Sequence, residues 1–253
     1  MTERFHSAQL ELTRVAANYL AFDVIGSFSF GRSFGFIKGG HDPYNLITTI
    51  DTRGEVLNAL GTVPSSARSW MQYNVFDDFW AKGLRARAGL EHIGRDAFLQ
   101  RKASINEKTK SDRQDLLSFL FKAIDPETGK PLPDDEIVAE SISFIVGGSD
   151  TTSSTMTNFI DLVSRRAEVK QKLQEELDRT FPSIASDWIA PDSVVEKLPY
   201  LNATLREVMR YRPTSSTGLE RVTPPGGRVI GGQFIPGGVS LCWKDCKFCS
   251  FKI

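Results

Sequence analysis

The residues with the clearest chemical potential are six small and polar ones at positions 147–152, Gly-Gly-Ser-Asp-Thr-Thr. They interrupt an apolar helical run, in which two adjacent glycines cost about 1 kcal/mol each relative to alanine. Glycine lets a flat ligand or a second backbone approach closely, and an acid inside an enclosed helix, here Asp150, needs a partner or a chemical role. Two interpretations stay open: a notch for helix packing, or a reactive edge that faces a ligand.

A long helix must position these residues. Asp134 is the predicted N-cap, and the acids that follow it complement the positive end of the helix dipole. Phe144 and three other apolar residues lie outside the main stripe, which indicates an enclosed helix. The stripe recurs at three- and four-residue steps as far as a basic pair at 165–166, and it consists of Val138, Ile142, Ile145, Met156, Ile160 and Val163.

A second pair of interest, Glu207 and Arg210, lies on a helix predicted to begin at Pro199 and to stop at Pro213. Residues three apart on a helix can form an ion pair, but such a pair alone is common and contributes only about 0.2–0.5 kcal/mol. The pair becomes informative only when its position along the chain is compared with the positions of the other motifs.

The ordered set of motifs resembles the cytochrome P-450 family of haem-thiolate monooxygenases. The segment at 147–152 is followed by Glu207-x-x-Arg210, by Leu-Glu-Arg-Val at 219–222 and by a hairpin that ends in Phe-Ile-Pro-Gly-Gly at 234–238. Each motif is weak, and the ordered set is specific.

The resemblance extends from about Leu10 to Leu241. Residues 18–26 resemble a helix of the fungal members. Arg-Gly-Glu-Val at 53–56 and Thr-Ser-Ser-Thr-Gly-Leu at 214–219 are similar to the benzoate 4-monooxygenase group. The resemblance therefore implies an oxidoreductase that inserts one oxygen atom of dioxygen into a small, aromatic organic substrate.

The resemblance also implies roles for single residues. Asp150 and Thr151 match the acid and alcohol pair that relays protons during dioxygen activation, which suits a hydroxyl beside a carboxylate. Gly147 and Gly148 match the glycines that make room for dioxygen and substrate over haem b. Arg221 matches an arginine that binds a haem propionate, a task for which a guanidinium is well shaped.

Glu207 and Arg210 match the structural ion pair of the family, expected in a buried site behind the haem. The substrate pocket is expected to include four further residues: Phe144, Ser216, Thr217 and Leu219.

The predicted fold is mainly α with small β-sheet elements (α+β), an incomplete, central part of the cytochrome P-450 fold. One partial domain is expected over 1–241, followed by an aberrant tail at 242–253. A tight turn at 231–232 is expected to join two short strands into a hairpin. Helices are predicted near 8–31, 44–60, 65–73, 76–108, 113–123, 135–165, 167–180 and 199–212.

The sequence departs from the family at the iron ligand. The family holds iron through the cysteine of Phe-x-x-Gly-x-Arg-x-Cys-x-Gly, and this pattern is absent from the sequence. The first helices of the family are missing as well. We therefore expect a truncated chain that contains no iron ligand, does not bind haem stably and is inactive as written.

Two alternatives to a monooxygenase remain. The first is a non-catalytic helical protein that keeps the centre of the fold and binds a partner. The second, more distant one is an iron–sulfur protein, because Cys242, Cys246 and Cys249 have the Cys-x3-Cys-x2-Cys spacing of the radical S-adenosylmethionine enzymes.

Charge and hydropathy restrict the partners. With 31 basic and 31 acidic residues the chain is neutral, which gives no electrostatic basis for binding nucleic acid.

The resemblance implies NADPH-cytochrome P-450 reductase as the electron donor. A full-length relative is expected at the cytosolic face of the endoplasmic reticulum membrane. No apolar run here is long enough to span a bilayer, so the chain itself is expected in the cytoplasm.

Overall fold

The computed structural model of the protein describes residues 2–106, 114–183, 188–215 and 221–241. The chain forms two compact units, Met1–Thr157 and Asn158–Ile253. Most of the described residues are helical, and the strands are short and antiparallel. This agrees with the predicted fold class.

The first unit is helical. It contains α1 (Thr2–Phe30), α2 (Phe36–Gly39), α3 (Leu46–Thr62), α4 (Ser65–Met71), α5 (Asp78–Asn106), α6 (Leu116–Leu120) and the larger part of α7 (Asp134–Ser164). Its core is rich in phenylalanine, and the rings of Phe22 and Phe36 stack with their centroids 4.8 Å apart. The buried cluster consists of Phe22, Phe30, Phe34, Phe36, Leu46, Ile50, Leu90, Ala97, Phe98, Leu117, Ile137, Val138 and Ile145.

The start of α7 differs from the prediction. Asp134 is the first helical residue and not the N-cap, and the Pro133 carbonyl accepts hydrogen bonds from the N–H groups of Glu136 at 3.0 Å and Ile137 at 3.2 Å. The Asp134 carboxylate instead pairs with Lys102 Nζ of α5 at 2.6 Å. The acid that the sequence assigned to a cap therefore links two helices.

A buried carboxylate on α1 holds the loop before α2. Asp23, only 8% exposed, accepts hydrogen bonds from the backbone N–H groups of Gly35 at 2.7 Å, Phe36 at 3.1 Å and Ile37 at 2.9 Å. Burial alone would raise the pKa of Asp23, but these bonds, with the Ser33 hydroxyl, stabilise the ionised form and lower it. Asp23 thus provides the acceptors that the first N–H groups of α2 need.

The second unit contains the last turns of α7 and the hairpin. Its other elements are α8 (Ala167–Thr180), α9 (Asp192–Val195), α10 (Pro199–Tyr211), β1 (Arg221–Val222), β2 (Arg228–Ile230), β3 (Gln233–Ile235) and β4 (Ser240–Leu241). Strand β1 pairs with β4, and β2 pairs with β3. Gly231 and Gly232, at φ 57° and 81°, form the predicted tight turn, which requires positive φ at both positions.

Two carboxylates organise the helices of this unit. Asp161, near the end of α7, accepts from Arg165 Nε at 2.7 Å and from Arg212 Nη1 at 2.7 Å. Glu176 of α8 accepts from the backbone N–H groups of Tyr200 at 2.9 Å and Leu201 at 2.8 Å. An anion at this position satisfies orphan donors and interacts favourably with the dipole of α10.

The long helices that the sequence predicts are confirmed. The differences between prediction and structure concern short helices. Helices α2 and α9 were not predicted, because four residues are too few to show a helical period. The helix predicted over 113–123 is reduced to α6, which begins after Asp115 in a capping box with Ser118. Among the described helices, none is both long enough and apolar enough to cross a bilayer.

Candidate functional site

The side of α7 that faces the core carries hydroxyl groups at spacings of four or eight residues. Ser141, Ser149, Ser153 and Thr157 are all buried. Each hydroxyl donates to a backbone carbonyl of α7 itself, for example Ser149 Oγ to Ile145 O at 2.6 Å. These polar groups are therefore satisfied without a partner on another helix.

Several other positions on α7 are not covered by the described chain. Thr151 and Thr152 are exposed, and Ile160 is 49% exposed. The prediction of an enclosed helix is therefore wrong for the described chain. Apolar residues around a helix predict burial only where another element covers them.

The two adjacent glycines have different surroundings. A Cβ added to Gly148 would lie 2.5 Å from Ile25 Cδ1 of α1, which makes Gly148 a packing notch between α1 and α7. A Cβ added to Gly147 would meet no atom of the described residues within 4 Å. Of the two interpretations of the glycine pair, the structure thus gives the packing role to Gly148 and leaves the open space to Gly147.

We expect opposite effects from alanine at these two positions. Gly148→Ala should destabilise the protein by about 1–3 kcal/mol, because the new methyl group overpacks the contact with Ile25. Rotation of the Ile25 side chain would relieve the clash only in part, since Ile25 Cβ itself would still lie 3.1 Å away. Gly147→Ala should stabilise the helix by up to about 1 kcal/mol. Urea denaturation of both variants measures the difference, and Ile25→Ala in the Gly148→Ala background should restore part of the loss. Equal effects at both positions would contradict the assignment.

Asp150 and Thr151 lie next to each other beyond the glycines, and both can exchange protons. Thr151 Oγ1 donates to the Gly147 carbonyl at 2.7 Å and is exposed, so its lone pairs can accept a further hydrogen bond. Asp150 is half-buried. Burial raises the pKa of its carboxyl, and the negative charge of Asp51 on α3 raises it further. Asp150 therefore keeps its proton to a higher pH than a solvated aspartate.

An apolar hollow of about 240 Å³ lies between α1 and α7. Neither Asp150 nor Thr151 lines it, and neither does Phe144, which is half-buried elsewhere on α7. The hollow is lined by Leu20, Ala21, Val24, Ile25, Phe28, Gly148, Thr152 and Met156. The largely apolar lining offers a surface for packing and little for proton chemistry.

Glu207 and Arg210 form the predicted ion pair. Arg210 Nε lies 2.7 Å from Glu207 Oε2, and Arg210 Nη2 lies 2.6 Å from Glu207 Oε1, so the contact is bidentate. The hydrogen bond from Arg210 lowers the pKa of Glu207. Both side chains are about two-fifths exposed, at 42% for Glu207 and 41% for Arg210. The expectation of a buried pair is therefore wrong for the described chain, and the pair stabilises it by about 0.2–0.5 kcal/mol.

The remaining predicted site residues are only partly described. Arg221 begins β1 opposite Leu241 and is exposed. No group of three or more His, Cys, Asp or Glu residues in the described ranges could hold a metal ion. Predicted residues outside the described ranges are Ser216, Thr217, Leu219, Cys242, Cys246 and Cys249.

Asp161 and Glu176 are among the organising carboxylates that the sequence analysis missed. The signal for Asp161 is present in the sequence, because it continues the four-residue spacing of the buried hydroxyls and precedes Arg165 by four positions. Glu176 gives no such signal, since its partners lie 24 and 25 residues away along the chain.

Comparison with known proteins supports a single family. The family model for Cytochrome P450 matches residues 2–242. Benzoate 4-monooxygenase bphA of Aspergillus niger is 32% identical over 244 residues, which cover 88% of this chain and 45% of the relative. Cytochrome P450 monooxygenase aclL of Aspergillus oryzae is 28% identical over 223 residues, 87% of this chain and 42% of the relative.

Solved structures give the same fold. The crystal structure of the cytochrome P450DA heme domain superposes with a TM-score of 0.65 at 21% identity, over 91% of this chain and 46% of that one. The chain spans about half the length of the curated relatives that it matches. The extent of the family match, together with the motif order and the helical fold, establishes that this chain belongs to the cytochrome P450 family.

Proposed function

We propose that the chain is the central part of a haem-thiolate monooxygenase in which Asp150 and Thr151 handle protons. One observation carries the proposal: on α7, a half-buried carboxyl with a raised pKa adjoins an exposed hydroxyl. The pair follows Gly147, beside which the structure leaves open space. A group whose pKa is moved towards the working pH is a better general acid than an ordinary aspartate.

The described residues of α7 fit one side of a haem, because the open space at Gly147 and the exposed Thr151 hydroxyl suit the side on which dioxygen and substrate react. Taken by itself, the guanidinium of Arg221 in the second unit has the chemistry that binds a propionate. When bound, haem supplies the oxidising chemistry of the family. The sequence lacks the cysteine motif that holds the iron. We therefore propose that the chain by itself does not form a thiolate-ligated haem site.

The proposed proton path combines the carboxyl of Asp150 with the neighbouring hydroxyl of Thr151. Asp150 carries the proton on its carboxyl, and the oxygen of the Thr151 hydroxyl can accept a proton. Thr151 can then release the hydrogen that points to the Gly147 carbonyl, so that the hydroxyl passes one proton on without a net change. Both residues stay in place because α7 fixes their backbones.

The proposal extends to partners and location. Similarity to Benzoate 4-monooxygenase bphA supports a small aromatic substrate. Membership of the family supports NADPH-cytochrome P-450 reductase as electron donor and, for a full-length relative, the cytosolic face of the endoplasmic reticulum membrane.

A non-catalytic helical interaction protein is the second candidate. The observation in its favour is the apolar hollow between α1 and α7, where Val24 is 57% and Phe28 is 63% exposed. Such a surface fits a partner that contributes apolar side chains.

A chimera tests the proposed function. Residues 2–241 replace the matching segment of Benzoate 4-monooxygenase bphA, which contributes the remainder of its chain, and benzoate serves as the probe substrate. We expect the ferrous carbon monoxide band of a thiolate-ligated haem. Absence of this band in a folded chimera would favour the interaction protein.

In the same chimera, Thr151→Ala should lower product formation by as much as about 10²-fold and raise peroxide release, because the relay hydroxyl is lost. Thr151→Ser should restore most of the coupling. Thr155→Ala is the matched control, since Thr155 also donates to a carbonyl of α7, that of Thr151, at 2.8 Å. A Thr151→Ala chimera that converts benzoate as efficiently as the unmodified chimera would contradict the proton relay.

A further inference from the structure

Helices α3 and α5 of the first unit lie against each other and run in opposite directions. A Cβ on Gly83 of α5 would lie 2.6 Å from Val56 Cγ1 of α3, and a Cβ on Gly89 would lie 3.6 Å from Thr49 Cγ2. The position on α5 advances from 83 to 89 while its neighbour on α3 falls back from 56 to 49. The two glycines therefore mark two places where α5 lies against side chains of α3 in an antiparallel pair, and the contact at Gly83 leaves no room for a side chain.

Arg53 and Arg87 lie between these two places, one on each helix. Arg53 falls between Thr49 and Val56, and Arg87 falls between the two glycines, so the arginines occupy the same level of the helix pair. Both line one pocket of about 170 Å³. The rest of the pocket wall consists of Val56, Leu57, Leu60, Gln72, Gly83 and Leu84.

The two arginines share a pocket wall, and the described part of the chain supplies no carboxylate partner for either. Burial lowers the pKa of Arg53, and the positive charge of Arg87 lowers it further. Guanidinium groups keep their charge even so, since their pKa stays far above neutrality. The fold thus holds two like charges together at a partly apolar site, which an anion would stabilise.

We propose that this pocket binds a small carboxylate that carries an apolar group. The carboxylate lies between the guanidinium groups of Arg53 and Arg87, whose planar forks match its two oxygens. The Gln72 side chain offers a further donor from the rim. The apolar group packs against leucines 57, 60 and 84. This proposal does not depend on haem or on the proton relay.

The lining favours a carboxylate with an apolar body over inorganic phosphate. Apart from the arginines and Gln72, the wall is aliphatic or glycine, and phosphate would leave this surface uncovered. The pocket is smaller than the range of about 300–1,000 Å³ that drug-sized ligands occupy. A monocarboxylate of the size of benzoate is the appropriate probe.

Calorimetric titration of the chain at low salt tests the proposal with benzoate, benzamide and inorganic phosphate as probes. Benzoate should bind, and benzamide, which has the same shape without the charge, should bind at least about tenfold more weakly, a difference of 1.4 kcal/mol. Phosphate should bind more weakly than benzoate. Benzamide or phosphate that binds as tightly as benzoate would overturn the proposal.

Variants then locate the site. Arg53→Gln and Arg87→Gln should each weaken benzoate binding at least about tenfold. The lysine variants Arg53→Lys and Arg87→Lys should weaken it less, since they keep the charge and lose the bidentate fork. Arg85→Gln is the matched control, because Arg85 is exposed on the same helix and lies outside the pocket.

A measurement on the unaltered chain complements the variants. In nuclear magnetic resonance spectra, benzoate should shift the backbone amide of Gly83 and leave that of Gly147 in place. Benzoate affinity that is unchanged in both glutamine variants, or an unshifted Gly83 amide, would overturn the proposal.

Discussion

Exchange of Arg165 and Arg212 together for glutamine is expected to destabilise the second unit by about 3–5 kcal/mol, because both cations around the buried Asp161 are lost. The Asp161 side chain is 1% exposed, whereas Arg165 and Arg212 are 50% and 45% exposed. Removal of the partners of Asp161 should therefore lower the free energy of unfolding more than removal of the partner of either arginine. An arginine that loses Asp161 is still solvated, but an Asp161 that loses its arginines is not.

Asp161→Asn is the control for this asymmetry. It removes two charge-assisted hydrogen bonds and leaves the arginines in water, so we expect a smaller loss, of about 1.5–3 kcal/mol. Asp161→Asn added to the double arginine variant should recover stability. Urea denaturation at pH 7 measures these differences. A double variant no less stable than Asp161→Asn would contradict the asymmetry.

Asp23→Ala is expected to destabilise the first unit by about 3 kcal/mol or more, since three backbone N–H groups lose a charged acceptor and each such bond contributes about 1.5–3 kcal/mol. Asp23→Asn should lose less, because the amide oxygen can still accept. The variants can be compared with the unaltered chain by thermal denaturation over a range of pH.

The pH dependence of Asp23 has a defined sign. The folded-state pKa of Asp23 is lowered, so its contribution is present above the unfolded-state pKa of about 3.9 and is lost as the pH falls through the folded-state value. The gap between the unaltered chain and Asp23→Asn should therefore close in acid. Asp150 provides the contrast, because its pKa is raised. Asp150→Asn should stabilise the chain at neutral pH, and this gain should vanish below the unfolded-state pKa. A gap at Asp23 that widens in acid would contradict its role as an ionised acceptor.

The long elements could be predicted from the sequence because their signals are local. The apolar period of α7 and the turn residues of the hairpin at Gly231 and Gly232 depend only on neighbours along the chain, and both predictions are confirmed. The four residues of α2 could not be predicted, since Asp23, thirteen residues before the first of them, supplies the acceptor that holds the start of this helix.

The candidate site was less predictable, because burial depends on distant contacts. The sequence does not distinguish Gly147 from Gly148, and only the position of Ile25, more than a hundred residues earlier, assigns the packing role to one of them. The exposure of Glu207 was missed for the same reason. The roles of Asp150 and Thr151 stay predictions based on motif order, and the chimera tests them.

The self-bonded hydroxyl stripe of α7 has a consequence for divergence within the family. Ser141, Ser149, Ser153 and Thr157 return their hydrogen bonds to their own helix. The helices packed against this stripe therefore need no donor or acceptor that matches it, only a complementary shape. Substitutions on those neighbours are free to accumulate one at a time without compensating changes on α7. Among distant relatives, the stripe should persist while the residues facing it drift.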